Sequence, residues 1–273
     1  MEGIMGNESE KQNQDLKKLL DYVRNNWPSE LRQDWQVKPE EYAGIVEKVV
    51  ADITRDCTRG KEMIRVTGIS GSGKTTQLVP AAENYFQGRE KKPVSIAGRV
   101  FVPYHPHCSE IVREYGKENL RKMTDDFVTV MMFFVIQVII KMGYDLIVDL
   151  ALVSPEMEGM LIKMLAEEKY KSTMLMIVAS REMVEKNLQG REWRHTEATE
   201  KEFAKETEKT LELYASIMPE MRMVMWNMYD EKPAYDGKVC NSLSVYRECV
   251  AETRHAKTDL EELKQAKIKY MTE

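Results

Sequence analysis

A glycine-rich stretch at residues 68–75, GISGSGKT, has the residue types and the spacing needed to bind phosphate groups. It meets the pattern GxxxxGK[ST] in full, with Lys74 and Thr75 at its last two positions. Glycines allow the backbone to turn tightly and to direct successive N–H groups at phosphate oxygens. The lysine supplies positive charge to the β- and γ-phosphates, and the next hydroxyl is placed to bind Mg²⁺. We therefore predict that this stretch holds ATP or GTP together with Mg²⁺.

The residues on both sides of this stretch have the setting that a phosphate loop requires. Met63 to Thr67 (MIRVT) reads as a short apolar strand, and Lys74 to Phe86 reads as the helix that follows the loop. The alternative is a glycine-rich turn with a chance lysine, and these two neighbours favour the phosphate loop over it. The residues expected to contact the nucleotide are Gly68, Ser70, Gly71, Ser72, Gly73, Lys74, Thr75 and Thr76.

A carboxylate near the metal is the second requirement of this chemistry, and Asp149 is the best candidate for it. It ends the run LIVD, which reads as a strand. The alternative is a surface aspartate at a strand end. We predict that Thr75 and Asp149 together form the Mg²⁺ site.

The elements that must position these residues alternate along the chain, which predicts an α/β fold with a mainly parallel sheet and helices on both faces. Strands are predicted at 63–67, 93–97, 145–150, 172–179 and 221–228, and helices between them at 74–86, 109–122, 124–142, 154–168 and 197–212. We expect three parts: a helical N-terminal extension (1–58), a P-loop domain (59–240) and a helical tail (241–273).

Composition narrows the class of protein further. The net charge of −5 argues against a nucleic-acid binder that works through bulk charge. The four cysteines form no CxxC pair and the N-terminus has no apolar signal segment, so we expect a cytoplasmic protein without a zinc site. The longest apolar run, Phe127 to Ile140, has 14 residues. About 20 are needed to span a bilayer, which favours a buried core helix.

Four further segments, in this order, resemble the zeta toxin family. They are IAGRVFVPYHPHCSEI (96–111), GYDLIVDLALVSPEMEGMLIKML (143–165), VASREMVEKNLQGREWR (178–194) and MWNMYDEKPAYDGKVC (225–240). The resemblance covers about Met63 to Tyr246, and its most specific parts are the phosphate loop, the His105-Pro106 pair and the strand that ends at Asp149. Members of this family are P-loop kinases that phosphorylate UDP-N-acetylglucosamine and related sugar nucleotides.

The resemblance implies an ATP-dependent kinase whose acceptor is a hydroxyl group of a nucleotide sugar. It places Arg191 near the ATP phosphates, which makes Lys74, Arg191 and Asp149 the predicted catalytic set. Arg194 is either a second phosphate contact or a solvated charge. The family also implies a small helical antitoxin as a partner, and residues 1–58 are then either an internal cover of the nucleotide site or extra helices that complete the core.

Three positions depart from the family pattern. The family's general base, an aspartate before the His-Pro pair, is replaced by Ala97, Gly98 and Arg99, and no Asp or Glu lies between Lys92 and Ser109. Phe133 stands near the family's sugar-binding acid, and Ala151 replaces a small hydroxyl residue. The candidates for a replacement base are Asp149, Asp125 and Asp126.

These departures leave three hypotheses. The first is a kinase that uses another carboxylate as base; the second is a nucleotide-binding regulatory module without transfer; the third is a simple NTPase or another small-molecule kinase. His105 is either catalytic or a turn residue that packs or caps the next helix, and a His-Pro dipeptide favours the turn.

Overall fold

The computed structural model describes residues 31–69, 71–150, 155–179, 184, 197–251 and 259–272. The strands are β1 (Glu62–Thr67), β2 (Val94–Ala97), β3 (Leu146–Asp149), β4 (Lys171–Val178), β5 (Arg222–Asn227) and β6 (Tyr235–Lys238). The helices are α1 (Pro39–Ile53), α2 (Val79–Tyr85), α3 (Cys108–Tyr115), α4 (Leu120–Met123), α5 (Asp125–Lys141), α6 (Pro155–Glu167), α7 (Glu197–Ile217), α8 (Leu243–Ala251) and α9 (Leu260–Thr272).

The strands form one sheet in the order β2-β3-β1-β4-β5-β6. β1 pairs in parallel with β3 and β4, β4 pairs in parallel with β5, and β6 is antiparallel to β5. All six residues of β1 are buried, as expected for a central strand covered on both faces. The predicted α/β fold with a mainly parallel sheet is therefore confirmed.

Two apolar cores lie on opposite faces of this sheet, because successive strand residues point to opposite sides. One core joins alternate residues of the strands to α2 and α9, and includes Val66, Ala82 and Met271. The other joins the intervening residues to α6, α7 and α8, and includes Met176 and Tyr214. The polar C-terminal tail thus contributes one helix, α9, to the face that also carries α2.

A network of charged side chains lies at the amino ends of the central strands β1, β3 and β4. Arg89 contacts both Glu62 and Asp145, and Glu62 also accepts hydrogen bonds from Tyr85 (2.6 Å) and from Lys171 (2.8 Å). Burial raises the pKa of Glu62, but the hydrogen bonds from these three partners outweigh it and lower the pKa to about 2. The folded protein therefore favours the ionised form of this carboxyl group.

Replacing Glu62 by glutamine is expected to lower the free energy of unfolding by about 2 kcal/mol at pH 7. Because the folded pKa lies below the ordinary value of 4.5, the wild-type stabilisation is complete above about pH 4.5 and is lost as the pH falls towards 2. Glu62→Gln should show a shallower loss over that range in urea titrations. The exposed Glu167→Gln is the control, and parallel pH profiles for wild type and Glu62→Gln would contradict the assignment.

Two predicted helices differ from the observed ones, and one observed strand was not predicted. The helix predicted at 109–122 is wrong as one element, because Gly116 adopts φ +84° and separates α3 from α4. The helix predicted from Lys74 begins with a wider turn, residues 74–78, before α2. The edge strand β6 was not predicted, since YDGK is short and polar.

The apolar run at 127–140 lies in α5, and its buried residues confirm the predicted core helix. These are Phe127, Val128, Val130, Met131, Met132, Phe133, Val135, Ile136, Ile139 and Ile140. Among the described residues, no helix combines the length and the apolar character that crossing a membrane requires.

Contacts group the chain into two compact units. One comprises the described residues in 31–55 and 97–139, and the other comprises the described residues in 56–96 and 140–272. In the first unit, the ring of Tyr42 on α1 lies 5.9 Å from that of Phe127 on α5. The second unit contains the phosphate loop and all the strands apart from the last residue of β2. The three-part division at residues 58 and 240 stays a prediction.

Candidate functional site

The phosphate loop follows β1 at the carboxyl edge of the sheet, and three of its glycines have conformations that other residues rarely adopt. The φ angles of Gly68, Gly71 and Gly73 are +147°, +84° and +85°. The amide of Ser72 donates to the carbonyl of Ile69 at 3.1 Å, which curls the loop. The predicted contact residue Ser70 lies outside the described residues.

Gly68→Ala is expected to destabilise the protein by about 2 kcal/mol or more and to weaken nucleotide binding. A Cβ atom at this position would lie 2.6 Å from the backbone oxygen of Ile177 and 2.7 Å from Oγ of Ser72. Thermal unfolding and ATP titration measure the two effects. The control is Gly44→Ala in α1, where the added Cβ would have, among the described residues, no heavy atom within 4 Å apart from the neighbouring backbone of its own helix. A Gly68→Ala protein as stable as the control would contradict this close packing.

The chain after the loop starts its helix with a wide turn. The amides of Thr76 and Gln77 both donate hydrogen bonds to the carbonyl of Gly73. The amide of Val79 donates a hydrogen bond to the carbonyl of Lys74. Such wide turns occur preferentially at functional sites. The hydroxyl of the exposed Thr76 also donates to the carbonyl of Gly73, at 3.0 Å. Thr76 therefore closes the turn, while Lys74 lies half-buried at its start.

Asp149 and Thr75, the two predicted metal ligands, are in contact. The hydroxyl of Thr75 donates to Oδ2 of Asp149 at 2.8 Å. β3 pairs with β1 so that Asp149 lies beside Val66, and this register brings the end of β3 next to the phosphate loop. The other carboxylate oxygen of Asp149 is buried and has no hydrogen-bond partner among the residues that the structure describes.

This pair of residues fits Mg²⁺. The ion prefers oxygen ligands and is usually held by one or two protein oxygens, phosphate oxygens and water. Thr75 and Asp149 supply a hydroxyl and a carboxylate, and the buried Oδ1 of Asp149 is an acceptor that a cation would satisfy.

A turn after β5 borders the phosphate loop, and sequence reasoning did not identify it as part of the site. The amide of Met228 donates to the carbonyl of Val178 at 2.9 Å, and its Cε lies 3.6 Å from the position of a Cβ on Gly73. The sequence does contain an indication of this turn, because turn-forming residues follow the predicted strand at 221–228. The carboxyl ends of such strands form the edge of the sheet at which α/β proteins bind ligands. The turn and α8 line a cleft of about 660 Å³, formed by Asn227, Tyr229, Asp230, Glu231, Lys232, Pro233, Ala234, Val245, Glu248 and Cys249.

His105, in the other compact unit, is a buried turn residue. Its Nδ1 accepts a hydrogen bond from the amide of His107 at 3.2 Å, and its ring packs edge-on against Phe127. Burial, with a smaller contribution from His107, lowers the pKa of His105 to about 4. The ring is therefore uncharged at neutral pH.

The candidate bases Asp125 and Asp126 lie at the start of α5. Asp125 accepts a hydrogen bond from Nε of Arg121 at 2.6 Å, and burial raises its pKa although Arg121 opposes the shift. The guanidinium of Arg121 lies against Gly98, where a Cβ would come within 2.6 Å of it. Asp126 instead accepts a hydrogen bond from the backbone amide of Phe127 at 2.7 Å.

Phe133 is buried and packs edge-on against Phe134. Arg191, Arg194 and Ala151 lie outside the described residues, so their predicted roles stay predictions.

A parallel sheet whose central strand leads into a glycine loop, with a carboxylate at the end of the adjacent strand, is the arrangement of P-loop proteins. The sequence model of the Zeta toxin family matches residues 48–227, which is more than half of the chain. The chain therefore belongs to the zeta toxin family.

Two further proteins are similar to this chain, one in sequence and one in fold. The toxin PezT of Streptococcus pneumoniae serotype 4 is 29% identical over 135 residues, which cover 47% of this chain and 51% of that protein. The chain thus matches about half the length of this curated relative. A solved structure from the PezAT chromosomal toxin–antitoxin system of S. pneumoniae matches with a TM-score of 0.64 at 19% identity, and it covers 88% of this chain and 99% of that one.

Proposed function

We propose that this protein is an ATP- or GTP-dependent phosphotransferase of the zeta toxin type. It moves the γ-phosphate onto a hydroxyl of a small acceptor, a nucleotide sugar such as UDP-N-acetylglucosamine. The observation that carries the proposal is the contact between Thr75 and Asp149 beside the phosphate loop, in a chain that belongs to this family.

In the donor half of the site, Lys74 and the loop amides hold the phosphates, while Thr75 and Asp149 hold the metal. Mg²⁺, when bound, neutralises part of the charge that builds up on the phosphoryl oxygens. Arg191 adds a positive charge to the transferring group in this proposal.

The nucleoside part of the donor occupies the cleft beside the turn after β5. Met228, at the start of this turn, lies near the phosphate loop, since a Cβ atom on Gly73 would be 3.6 Å from its Cε, and a nucleoside attached to a triphosphate in the loop has this neighbouring turn within its reach in the proposal. The carboxylates and backbone groups along the cleft supply acceptors and donors for a base and a ribose.

Asp125 is the proposed replacement for the family's general base. It belongs to the same compact unit as Gly98 and Arg99, where the family's aspartate is missing. Its contact Arg121 lies against Gly98, and its pKa is raised by burial, which moves a carboxylate towards the range useful for a base at neutral pH.

The second candidate function is a regulatory module that binds nucleotide without transferring phosphate. The absence of any acid from Pro93 to Cys108 favours it. It shares the whole donor half of the site with the kinase, so only the fate of the phosphoryl group separates the two.

We also propose an antitoxin-like protein as partner, supported by the PezAT toxin–antitoxin system. If this is correct, expression of the wild-type chain alone inhibits growth of a bacterial host, and expression of a Lys74→Ala chain does not. If both chains inhibited growth, the inhibition would not depend on the phosphate loop.

Incubation of the purified protein with ATP, Mg²⁺ and a panel of nucleotide sugars tests the proposed activity. We expect one acceptor to gain a single phosphoryl group by mass, and Asp125→Asn to lower the rate at which it does so. Nucleotide binding with no modified acceptor would support the regulatory module, and ATP loss with release of inorganic phosphate alone would support an NTPase.

A further inference from the structure

The last helix, α9, lies beyond the residues that match the family model. It nevertheless packs in the same apolar core as α2, the helix that follows the phosphate loop. The match ends at residue 227, whereas α9 runs from Leu260 to Thr272. Met271 of α9 packs in the same core as Ala81 and Ala82 of α2, the helix that continues from the phosphate loop. The cleft-lining turn also follows the end of the match.

One residue of α9 is chemically unusual for its place. The side chain of Lys267 is completely buried, and its Nζ donates a hydrogen bond to the backbone oxygen of Asp230 at 2.9 Å. Burial lowers the pKa of Lys267 to about 8, although Asp230 and Glu231 oppose the shift. The side chain therefore keeps its charge at pH 7. A methionine or leucine would fill this position without the cost of burying an ammonium group.

The carbonyl that Lys267 holds is at the tip of the turn after β5. The amide of Asp230 donates to the carbonyl of Asn227 at 3.0 Å, and the amide of Met228 ties the start of the turn to β4. Met228 also lies close to the phosphate loop, because a Cβ atom on Gly73 would be 3.6 Å from its Cε. The turn is thus fixed to the sheet at its start and to α9 at its tip.

A second contact fixes α9 to the same hairpin. The hydroxyl of Tyr270 donates to Oδ2 of Asp236 on β6 at 2.8 Å, and its ring packs edge-on against Trp226 of β5. α9 therefore contacts β5, β6 and the turn that joins them, so its position and that of the turn are coupled.

We propose that Lys267 is a positioning residue for the nucleoside part of the donor. It holds the turn of residues 227–234 in the conformation that receives the base and ribose, so that α9 completes the nucleotide site from outside the matched region. This inference rests on the proposed function, because it assumes that the cleft takes the nucleoside.

Equilibrium binding of two ligands to the full chain tests the proposal. ATP contacts both the phosphate loop and the turn, whereas inorganic tripolyphosphate has no nucleoside and contacts the loop alone. We expect Lys267→Met to weaken ATP binding about tenfold, as expected for the loss of a hydrogen bond to a charged group, and to leave tripolyphosphate binding unchanged. Lys267→Arg keeps a charged donor and should recover part of the lost affinity.

The matched control is Lys264→Met, one turn earlier on α9, where the lysine pairs with Glu261 at the surface. It should bind both ligands as the wild type does. Equal losses for ATP and tripolyphosphate in Lys267→Met would show a merely structural role, and unchanged ATP binding would also overturn the proposal. A wild-type chain that fails to bind ATP would instead overturn the proposed function.

Hydrogen exchange on the wild-type chain gives an independent reading if Lys267→Met does not fold. ATP should slow exchange at the amides of residues 228–232 more than tripolyphosphate does. The same protection by both ligands would contradict a role of this turn in holding the nucleoside.

Discussion

Replacing Lys74 by alanine is expected to lower phosphoryl transfer by about 100- to 1,000-fold, the loss typical of one group that stabilises transition-state charge. Lys74 follows Gly73 at the start of the wide turn, where its ammonium group can reach the β- and γ-phosphates. The rate is measured with saturating acceptor over a range of ATP concentrations. ATP affinity should fall as well, because the charge acts on the bound donor before transfer.

The matched control for this variant is Lys163→Ala, which removes an exposed lysine from α6. Its rate and its thermal stability should equal those of the wild type. If Lys74→Ala retained the wild-type rate while folded, the phosphate loop would not be the donor site.

Replacing Asp149 by asparagine is expected to lower the rate on the order of 100-fold by removing the metal ligand's charge. Asparagine has nearly the same size and its amide oxygen can still accept the hydrogen bond from Thr75, so the variant changes the charge and preserves the local geometry. The wild-type chain should bind ATP more tightly when Mg²⁺ is present. Asp149→Asn should lose that difference.

Titration calorimetry with ATP, with and without EDTA, measures the metal effect separately from turnover. Binding without Mg²⁺ should be as strong in Asp149→Asn as in the wild type, or stronger, because a negative charge near the phosphates has been removed. Intact turnover together with an intact Mg²⁺ effect in this variant would show that another residue holds the metal.

The parts of the fold that were predictable from sequence are those in which the pattern of apolar residues in a segment matches the burial of that segment in the folded protein. β1, β3 and β4 are short apolar runs because both faces of a parallel sheet are buried. Once these strands were placed, the contact between Thr75 and Asp149 was predictable, since the carboxyl ends of neighbouring parallel strands meet at one edge of the sheet.

The features that were not predictable depend on contacts between residues far apart in the sequence, which the residues of a short segment do not indicate. β6 reads as a polar turn, and it becomes a strand by pairing with β5 and through the ion pair between Asp236 and Arg222. Lys267 belongs to a tail whose sequence is polar, charged and helical, and its burial follows from the position of α9 on the sheet. Gly116 gave no decisive signal, because an isolated glycine is tolerated within many helices.

The fate of the γ-phosphate shows most directly whether this protein is a phosphotransferase. ATP labelled at the γ-position is incubated with Mg²⁺, the wild-type chain and the acceptor panel, and the label is followed into organic and inorganic products. We expect the label to appear as a phosphate ester on one nucleotide sugar, and Lys74→Ala to slow its appearance by about 100- to 1,000-fold. Label that stays in ATP, or that appears only as inorganic phosphate, would contradict the assignment of this protein as a phosphotransferase.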